Sequence, residues 1–407
     1  MRHRPSIIEP KDTVNKKIIG FFLNLPTHKI HHAMIQIKKV ETKSELKAFI
    51  RFPHKLFKGN PYWVPPLNKD ELFTLRKDKN PAFEHCVAEY WLAYKNDKIV
   101  GRVAGIINYT ANEKWGEKVR FGWIDFIEDV EIAKALLDTV EKWGEGQGME
   151  SIQGPLGFND MDNEGMLVEG FDKLPTIANI YNYPYYPKFM EELGYTRDED
   201  WLQFKFNASQ IIPEKMDRVN KLIAEKYNLK ILIGKKKKEL LKYAHSLFKT
   251  LNVAFSNLYG YSALTDKEID ALIKNYFSFI NPKLVCFVID ENNEVIGFGI
   301  SMPSLSRAFQ KAKGKLFPFG FIHILKALNN LETIDLYLTG VHPNWQKRGI
   351  HSLFYVEMNK SYIRNHVKTA ISNQQLESNT AAISVWDSYD KEPYIRRRCY
   401  SKKFIHS

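Results

Sequence analysis

The sequence predicts a mixed α/β (α+β) protein in which one folding unit occurs twice. Two segments carry this prediction: YWLAYKNDKIVGRVAGII at 90–107 and VCFVIDENNEVIGFGIS at 285–301. Each has two apolar runs around an Asn-Asp or Asn-Asn pair, which is typical of a β-hairpin. A glycine lies near the start of the second run in both, Gly101 and Gly297. A helical segment precedes each hairpin and the same series of elements follows it, so we expect two α/β domains rather than one large sheet.

The elements of the two copies correspond in order. The first copy consists of a helix at 41–57, the first hairpin, a strand at 120–127, a helix at 131–148, a strand at 150–156, and a helix with a final strand at 185–206. The second copy consists of a helix at 235–252, the second hairpin, a strand at 333–340, a helix at 351–366, a strand at 368–374, and a helix with a final strand at 380–403. The agreement of turns, glycines and order favours a duplication over chance alternation.

Domain boundaries follow from this correspondence. We expect a first domain at 33–207, a helical linker in the polar stretch 208–228, and a second domain at 229–407. Residues 1–32 form a leader that we expect to be mobile or to face a membrane. Its segment KKIIGFFLNLP is similar to a short signal sequence, but no small-residue cleavage site follows it.

Composition limits the classes of function. The chain has 407 residues, of which 44% are hydrophobic, and a formal charge of +12 that favours anionic partners. Its three cysteines are far apart, which argues against a disulfide framework and for a reducing compartment. No apolar run approaches the ~18 residues of a membrane-spanning helix. We expect a cytoplasmic protein that can bind the inner face of the cell membrane, and no nucleic-acid partner, since no nucleic-acid motif is present.

The segment HPNWQKRGIH, from His342 to His351, is a candidate anion-binding loop. It follows the alternating apolar run IDLYLTGV and precedes a helical segment. A loop with a glycine and two cations between a strand and a helix can direct backbone N–H groups at an anion. An ordinary basic surface turn is the other interpretation of these residues taken alone.

The order of the elements and this loop together resemble the GNAT acyltransferase fold, present in tandem. That family binds coenzyme A on the loop after its fourth strand, in the pattern Gln/Arg-x-x-Gly-x-Gly/Ala. The residues that match this pattern here are Gln346, Lys347, Arg348, Gly349 and Ile350. His351 stands where Gly or Ala is usual. The resemblance implies two tandem GNAT-like acyl-CoA N-acyltransferase domains, with acyl-CoA as co-substrate held by this loop and no metal.

The first copy departs from that pattern at the corresponding junction. It carries four carboxylates and no glycine beyond Gly122, the carboxylates being Asp125, Glu128, Asp129 and Glu131. Four negative charges would repel a pyrophosphate. We therefore expect a degenerate first domain, with coenzyme binding only in the second.

Longer phrases narrow the resemblance. FIRFPHKLFKGNPYWVPPL, GPLGFNDMDNEGMLVEGFD and the final RRRCY are similar to the tandem-GNAT family that includes bacterial ceramide synthases. This implies N-acylation of a hydrophobic amine, a long-chain sphingoid-type base, with an acyl-CoA. An acetyltransferase for a small amine, transfer from aminoacyl-tRNA, and a non-catalytic acyl-CoA- or lipid-binding module are the alternatives.

The same resemblance suggests catalytic roles along one strand. GNAT enzymes have a splayed gap beside the fourth strand, where a backbone N–H polarises the thioester carbonyl; here we expect that donor near Val341 or His342. Asp335 lies at the spacing where histone-type GNATs carry their base, so we predict it as the general base, with His342 as a weaker candidate. Alternation places four side chains on one face: Asp335, Tyr337, Thr339 and Val341. Trp386 stands where a general-acid tyrosine is often found.

A loop of the first half mixes carboxylates, aromatics and glycines. We predict that Asn159 and Asp160 bind a cationic amine there, and that Tyr181, Tyr185 and Tyr186 line its path. The spacing NDMDNEG matches only part of a calcium loop, so we expect no metal. In the second half, the aromatic segment at 314–330 has lysines beside it and has the composition of an interfacial helix, with buried core as the alternative.

Overall fold

The computed structural model describes residues 34–207, 214–387 and 389–404. Within them, fourteen strands belong to one sheet. The strands are β1 (Gln36–Lys39), β2 (Cys86–Lys95), β3 (Lys98–Asn108), β4 (Lys118–Phe126), β5 (Ser151–Gly154), β6 (Met166–Glu169), β7 (Thr196–Asn207), β8 (Lys230–Ile233), β9 (Val285–Ile289), β10 (Val295–Pro303), β11 (Thr333–Val341), β12 (Thr369–Ser372), β13 (Gln375–Leu376) and β14 (Lys391–Lys403).

The α-helices of the described residues lie on both faces of this sheet. They are α1 (Lys43–Leu56), α2 (Asn68–Thr74), α3 (Tyr109–Trp115), α4 (Val130–Gly146), α5 (Tyr185–Glu192), α6 (Glu214–Lys226), α7 (Lys237–Leu241), α8 (Ala244–Phe255), α9 (Asp266–Tyr276), α10 (Ser306–Ala312), α11 (Gly320–Leu328), α12 (Ile350–Arg364) and α13 (Thr380–Ser384). None of them is long and apolar enough to cross a membrane.

Local sequence explains where the elements begin. The two predicted hairpins are present as β2–β3 and β9–β10, with Asn96, Asp97 and Asn293 in the left-handed conformation that their turns require. Helix α1 begins at a capping box: Thr42 Oγ1 accepts from the N–H of Glu45 at 3.2 Å, and the Glu45 carboxylate accepts from the N–H of Thr42 at 2.8 Å.

The two copies exchange their last strands. The sheet order is β1-β2-β3-β4-β5-β14-β7-β12-β11-β10-β9-β8, so β14 of the second copy lies between β5 and β7 of the first, and β7 pairs with β12 of the second. We expected two domains rather than one large sheet, and the second part of this prediction is wrong: the strands of both copies belong to one sheet. Each copy leaves an edge at β5 or β12, and a final strand from the other copy covers it.

Buried ion pairs fix this exchange. The Asp200 side chain of β7 is fully buried, and its carboxylate accepts from Arg396 Nη1 at 2.9 Å and from Arg398 Nε at 2.8 Å. Both arginines lie on β14, so the carboxylate joins the two exchanged strands side by side. A carboxylate held by two guanidinium groups keeps a lowered pKa despite burial, as found for Asp200.

The segment expected as a linker is partly described, and it packs on the second copy. Helix α6 lies against α12, where Asn220 Nδ2 donates to the carbonyl of Ser352 at 3.0 Å and Ser352 Oγ donates to Asn220 Oδ1 at 2.9 Å. Residues 208–213 and the leader at 1–32 lie outside the described residues. The domain boundaries stay a proposal, since the exchanged strands connect the two copies.

Candidate active site

Strands β11 and β12 part at one pair of residues. Their parallel ladder ends with Leu336 opposite Ser372. Beyond it, the N–H of Asn373 donates to the carbonyl of Leu336 at 2.8 Å, and Asn373 Nδ2 donates to the carbonyl of Tyr337 at 3.0 Å. A space of about 180 Å³, the gap cavity, lies between the separated strands and the turn after β12. The structure thus has the splayed gap that the GNAT resemblance implies beside the fourth strand.

A bulge in β11 determines which face its side chains occupy. Two consecutive residues of β10 pair with Leu336 and Leu338, so Tyr337 has no partner in this ladder. Tyr337 packs in the core beneath α8 and α9, whereas Val341 packs against α12 on the opposite face. Strict alternation fails at the extra residue, which corrects the prediction of one shared face for Asp335, Tyr337, Thr339 and Val341.

A larger space of about 280 Å³ adjoins the gap cavity. We call it the apolar cavity, because most of its walls are aliphatic and aromatic side chains of β10, α8, α9, α10 and α11. Met161, Tyr337 and Leu338 belong to the walls of both cavities. Three carboxyl groups also line the apolar cavity: Asp70, Glu71 and Asp162. An apolar space with a few polar groups is the usual form of a small-molecule site.

One loop of the first half, residues 155–165, supplies carboxylates to both cavities. Asp160 and Glu164 line the gap cavity, and Asp162 lines the apolar cavity. Burial raises the pKa of Asp160 to about 7, with Arg120 lowering it in part. Burial also raises the pKa of Asp162 to about 7, and burial followed by the charge of Asp160 raises that of Glu164 well above its usual range. No group of three or more His, Cys, Asp or Glu side chains among the described residues could hold a metal ion.

Hydrogen bonds from the second half hold this loop. Asn159 Nδ2 donates to Glu268 Oε1 at 2.9 Å, and Gln374 Nε2 donates to Glu164 Oε2 at 3.2 Å. The amide nitrogen of Asn159, a predicted substrate ligand, is thus committed to α9. Asp160, predicted with it, does line a cavity, and its Oδ1 has no hydrogen-bond partner in the described chain.

Asp335, the predicted general base, is 2% exposed. Within the described residues, neither carboxylate oxygen has a partner in hydrogen-bond geometry. Burial raises the pKa of Asp335 to about 7, and the nearby Ser304 lowers it in part. Its ladder partners are Met302 of β10 and Ile371 of β12. Met302 lines the apolar cavity, but Asp335 itself is not in the wall of either cavity.

The loop Gln346–His351 follows a 3-10 turn and leads into α12. Gly349 is the N-cap of α12 with φ of +79°, and a Cβ there would lie 2.7 Å from Ile223 Cδ1 of α6. The backbone conformation therefore favours glycine, and a larger residue would also displace the Ile223 side chain. The side chains of Gln346, Lys347, Arg348 and His351 are exposed. The N–H of Ser352 donates to the carbonyl of Gly349 at 3.0 Å, so the N–H groups that the start of α12 can offer to an anion are those of Ile350 and His351.

Aromatic rings hold one of the two cations of this loop. The Arg348 guanidinium lies 5.1 Å from the ring centre of Trp345 and 5.7 Å from that of Tyr227. Lys347 takes the left-handed conformation, with φ of +59°. Arg348 is thus positioned by cation–π contacts, whereas Lys347 has no carboxylate within 4.0 Å in the described chain.

The residues at the end of β11 make structural contacts. The N–H of His342 donates to the carbonyl of Ile296 at 2.9 Å, and His342 Nδ1 accepts from the N–H of Asn344 at 3.3 Å. The carbonyl of Val341 accepts from Gln346 Nε2 at 3.3 Å. The N–H of His342, one of the two expected backbone donors, is already used, so that alternative is wrong, and the donor at Val341 stays a prediction. The imidazole of His342 caps the following turn. A catalytic role for His342 stays a prediction without support from these contacts.

The three predicted substrate-binding tyrosines lie in the core of the first half. Tyr186 is fully buried, with its ring centre 4.2 Å from that of Phe126. Tyr185 Oη donates to the carbonyl of Phe126 at 2.7 Å, and Tyr181 packs edge-on against Phe57. None of the three lines the gap cavity or the apolar cavity. The predicted path along these rings is therefore corrected: the aromatic segment closes the first-half core.

Two carboxylates of the apolar cavity were not predicted. Asp70 and Glu71 belong to α2, and burial raises the pKa of each. Glu71 Oε2 accepts from Trp123 Nε1 at 2.7 Å. The stretch NKDELF is an ordinary helix start with acids in its first turn. Only the tertiary contact buries Glu71, which is 9% exposed, and Asp70 beside it stays exposed to solvent, so the sequence offers no signal for this role.

Trp386, where a tyrosine is often found in the family, lines the gap cavity and is 5% exposed. Its ring centre lies 5.2 Å from that of Tyr355. Among the described residues, its Nε1 has no hydrogen-bond partner. The wall of the gap cavity therefore has an unpaired indole N–H in place of a tyrosine hydroxyl.

The corresponding junction of the first half is built differently. Asp129 caps α4 and pairs with Lys95 at 2.9 Å, and Asp125 pairs with Arg102 at 2.7 Å. After β5, the N–H of Leu156 donates to the carbonyl of Phe121 on β4 at 2.9 Å. Two of the four predicted carboxylates thus have structural partners.

Comparison with known proteins places the chain among relatives. No protein-family model matches it. Protein YghO of Escherichia coli (strain K12) is 28% identical over 373 residues, covering 89% of this chain and 93% of that protein. The bacterial ceramide synthase of Caulobacter vibrioides (strain NA1000 / CB15N) is 26% identical over 387 residues, covering 91% of this chain and 98% of that protein.

Two solved structures share the fold. A tandem GNAT protein from the clavulanic acid biosynthesis pathway superposes with a TM-score of 0.53 at 11% identity, covering 92% of this chain and 100% of that one. A GCN5-related glucosamine N-acetyltransferase region of a fungal GH3 β-N-acetylglucosaminidase superposes with a TM-score of 0.52 at 12% identity, covering 92% of this chain and 38% of that one. The chain therefore has the tandem GNAT fold, and its sequence is similar to that of the bacterial ceramide synthase of Caulobacter vibrioides.

Proposed function

We propose that this protein is an acyl-CoA-dependent N-acyltransferase of lipid, specifically sphingolipid, metabolism that acylates a hydrophobic amine, namely a long-chain sphingoid-type base. One observation carries the proposal: the gap cavity beside β11 shares its wall with an apolar cavity that three carboxyl groups line. A hydrocarbon chain fits an apolar space, and a carboxylate pairs with an ammonium group. The name of the Caulobacter vibrioides relative agrees with this substrate.

The donor side of the proposal rests on the loop Gln346–His351. Exposed Lys347, the left-handed Gly349 and the first N–H groups of α12 suit a pyrophosphate. The side chain of His351 narrows this approach but leaves its N–H available. Strand β11 runs from the gap cavity to this loop, so one strand connects the two parts of an acyl-CoA site. The acidic first-half junction supports a single coenzyme site, in the second half.

The acceptor must lose a proton before it can react. An aliphatic amine has a pKa of ~10 and is an ammonium ion at neutral pH. In this proposal Asp160 and Asp162 bind the ammonium, and Asp335, which lies behind the cavity walls, receives its proton through water. All three carboxyl groups have a pKa of about 7, which suits proton transfer at neutral pH.

Acyl transfer then exchanges one bond for another. The amine nitrogen forms a C–N bond to the thioester carbonyl carbon while the C–S bond breaks, and the coenzyme leaves as a thiolate. Trp386 offers an N–H on the wall of the gap cavity where this charge shift occurs. Because a sphingoid-type base partitions into bilayers, we also propose that the enzyme works at the cytoplasmic face of the cell membrane.

Free-thiol release tests the proposal. Purified protein is incubated with palmitoyl-CoA or acetyl-CoA, each with and without a sphingoid base. The proposal predicts base-dependent release from palmitoyl-CoA. Release from acetyl-CoA with a small amine would indicate a small-amine acetyltransferase instead, and tight acyl-CoA binding without release would indicate a binding module. Amide formation from aminoacyl-tRNA but not from acyl-CoA would move the protein to the tRNA-dependent class.

A further inference from the structure

The segment between β10 and β11 exposes a group of apolar side chains. Five of them form what we call the α11 patch, with exposed fractions as follows: Phe317 77%, Phe319 69%, Leu325 56%, Ile322 49% and Phe321 38%. The rings of Phe317 and Phe321 lie 5.7 Å apart, and Phe321, Ile322 and Leu325 lie within one turn on one side of α11. Contiguous exposed aromatics mark an interaction surface.

Cations surround this patch. Five exposed ones come from α10, α11 and the turn between them: Arg307, Lys311, Lys313, Lys315 and Lys326. None of the five has a carboxylate within 4.0 Å in the described part of the chain. An open groove of about 880 Å³, the basic groove, runs beside α11, and its walls contain Arg307, Lys311, His323 and Lys326. The carboxylate in the groove wall, Glu392, is paired with Lys205 at 2.6 Å.

The opposite side of α11 closes the apolar cavity. Ile324 is 3% exposed and lines that cavity together with Leu305 and Phe309 of the α10 segment. The helix therefore separates the apolar cavity from the α11 patch by its own thickness. An amphiphile that leaves a bilayer at the patch would reach the cavity by passing around this one helix.

Contacts with the first half hold the segment in place. Ser306 Oγ donates to the carbonyl of Pro175 at 2.7 Å, and Gln310 Nε2 donates to the carbonyl of Pro61 at 2.8 Å. The carbonyl of Gly314 accepts from the N–H of Asn68 at 3.0 Å. The α11 patch is thus a fixed face of the folded protein.

We infer that the α11 patch docks the protein on an anionic membrane surface. Aromatic and aliphatic side chains partition into the interfacial region, and the surrounding cations pair with anionic headgroups. The unpaired positive charge around the patch favours an anionic membrane over a second copy of the chain. In a symmetric dimer formed through this patch, the same cations of the two copies would face and repel each other. The inference rests on the proposed membrane location but not on the acyl-transfer chemistry.

Vesicle flotation tests the inference with the full-length chain. The probes are vesicles of phosphatidylcholine alone and of equal parts phosphatidylcholine and phosphatidylglycerol. Two double variants alter the surface: Phe317→Ser with Phe319→Ser, and Lys311→Glu with Lys326→Glu. Matched controls are Leu222→Ser, at a side chain 64% exposed on α6, and Lys142→Glu, at an exposed lysine of α4. Thermal unfolding confirms that each variant folds.

The expected result is binding of the wild type to the phosphatidylglycerol vesicles and a loss of about tenfold or more in each double variant, with both controls unchanged. Added salt should weaken wild-type binding. Undiminished binding by both double variants would overturn the inference, as would a wild type that ignores anionic vesicles. The inference would also be overturned if the patch variant changed a dimer to a monomer in light scattering but left vesicle binding unchanged. Vesicle binding is measured without substrate. A negative result would therefore not affect the test of acyl transfer, which is base-dependent thiol release in detergent.

Discussion

Leu336 and Ser372 are the last residues that pair β11 with β12, and the two cavities of the site begin directly beyond them. Three parts of the chain that are far apart in sequence meet where these strands separate: the first-half loop 155–165, the bulged strand β11, and the turn after β12. We expect no coenzyme site in the first half, yet its loop supplies carboxylates to both cavities. Both halves of the chain therefore contribute residues to one candidate site.

Gly349→Ala should weaken acyl-CoA binding by about tenfold or more. The substitution places a Cβ on a residue whose φ of +79° is strained for any side chain, and 2.7 Å from Ile223 Cδ1, so the loop or the Ile223 side chain must shift. Calorimetric titration with palmitoyl-CoA measures the loss. Gly194→Ala is the matched control, because this glycine also has a positive φ, +81°, at the end of a helix, and no atom lies within 4 Å of the new Cβ. Equal binding by Gly349→Ala and wild type would remove this loop from the site.

Asp335→Asn should abolish turnover yet raise stability at alkaline pH. The folded-state pKa of about 7 exceeds the ordinary value of 3.8, so the folded chain holds this proton more tightly than the unfolded chain. The group's contribution to stability is therefore full at acid pH and falls between about pH 4 and 7, by up to ~1.4 kcal/mol per pH unit. Denaturant unfolding at pH 5 and pH 8 should show the variant's advantage mainly at pH 8. Full turnover in the variant would exclude Asp335 as the base.

Asp162→Asn should raise the KM for the amine by about tenfold or more, with a smaller change in kcat. Loss of the negative charge removes a charge-assisted contact to the ammonium while keeping an acceptor for the N–H of Phe158, now 2.8 Å from Asp162 Oδ2. Steady-state kinetics with varied sphingoid base measures this change. Asp172→Asn is the control, since that side chain is 70% exposed near the same region. An unchanged KM would place the ammonium elsewhere.

Ile273→Phe should discriminate between long and short amines. Ile273 lines the apolar cavity from α9, so a larger ring there narrows the space for a hydrocarbon chain. We expect kcat/KM to fall for a long-chain base and to change little for a short-chain amine. A parallel fall for both amines would mean that the substitution damages the fold or that the chain binds outside this cavity.

Asp200→Ala should lower the free energy of unfolding by about 2 kcal/mol, because Arg396 and Arg398 lose the buried acceptor that they share, while Arg396 keeps Glu377 at 2.9 Å. The exposed pair Lys205–Glu392 joins the same two strands, with Glu392 61% exposed. Glu392→Ala should therefore cost less than about 1 kcal/mol. Urea unfolding compares the two. Equal costs would show that the Asp200 pairs do not stabilise the strand exchange.

Local patterns predicted most of the elements but not their pairing across the duplication. The hairpins, the helices around them and the strand before the HPNWQKRGIH loop follow from turn residues and apolar periodicity, which depend on neighbours in sequence. The exchange of β7 and β14 does not follow from these patterns, because the sequence pattern of a final strand is the same whichever sheet edge the strand covers. The bulge at Tyr337 is also invisible to an alternation rule that assumes two residues per repeat.

The residues of the candidate site could likewise be predicted only in part. Gly349 and the cations around it could be predicted because the motif is contiguous, and Asp160 because its loop is unusually acidic. Glu71 could not, since only the packing of α2 against the apolar cavity distinguishes it from a surface acid such as its exposed neighbour Asp70. Tyr185 and Tyr186 were assigned to the substrate path on composition, whereas their rings fill the core beside Phe126.

The most direct test of acyl transfer to a hydrophobic amine is mass spectrometry of the product. Purified protein receives palmitoyl-CoA with an equimolar mixture of a sphingoid base and a small polar amine. We predict the N-palmitoyl amide of the sphingoid base as the main product, absent in the reactions of Gly349→Asp and Asp335→Asn. Acylation of the small amine alone, or an amide that both variants still form at the wild-type rate, would contradict the account.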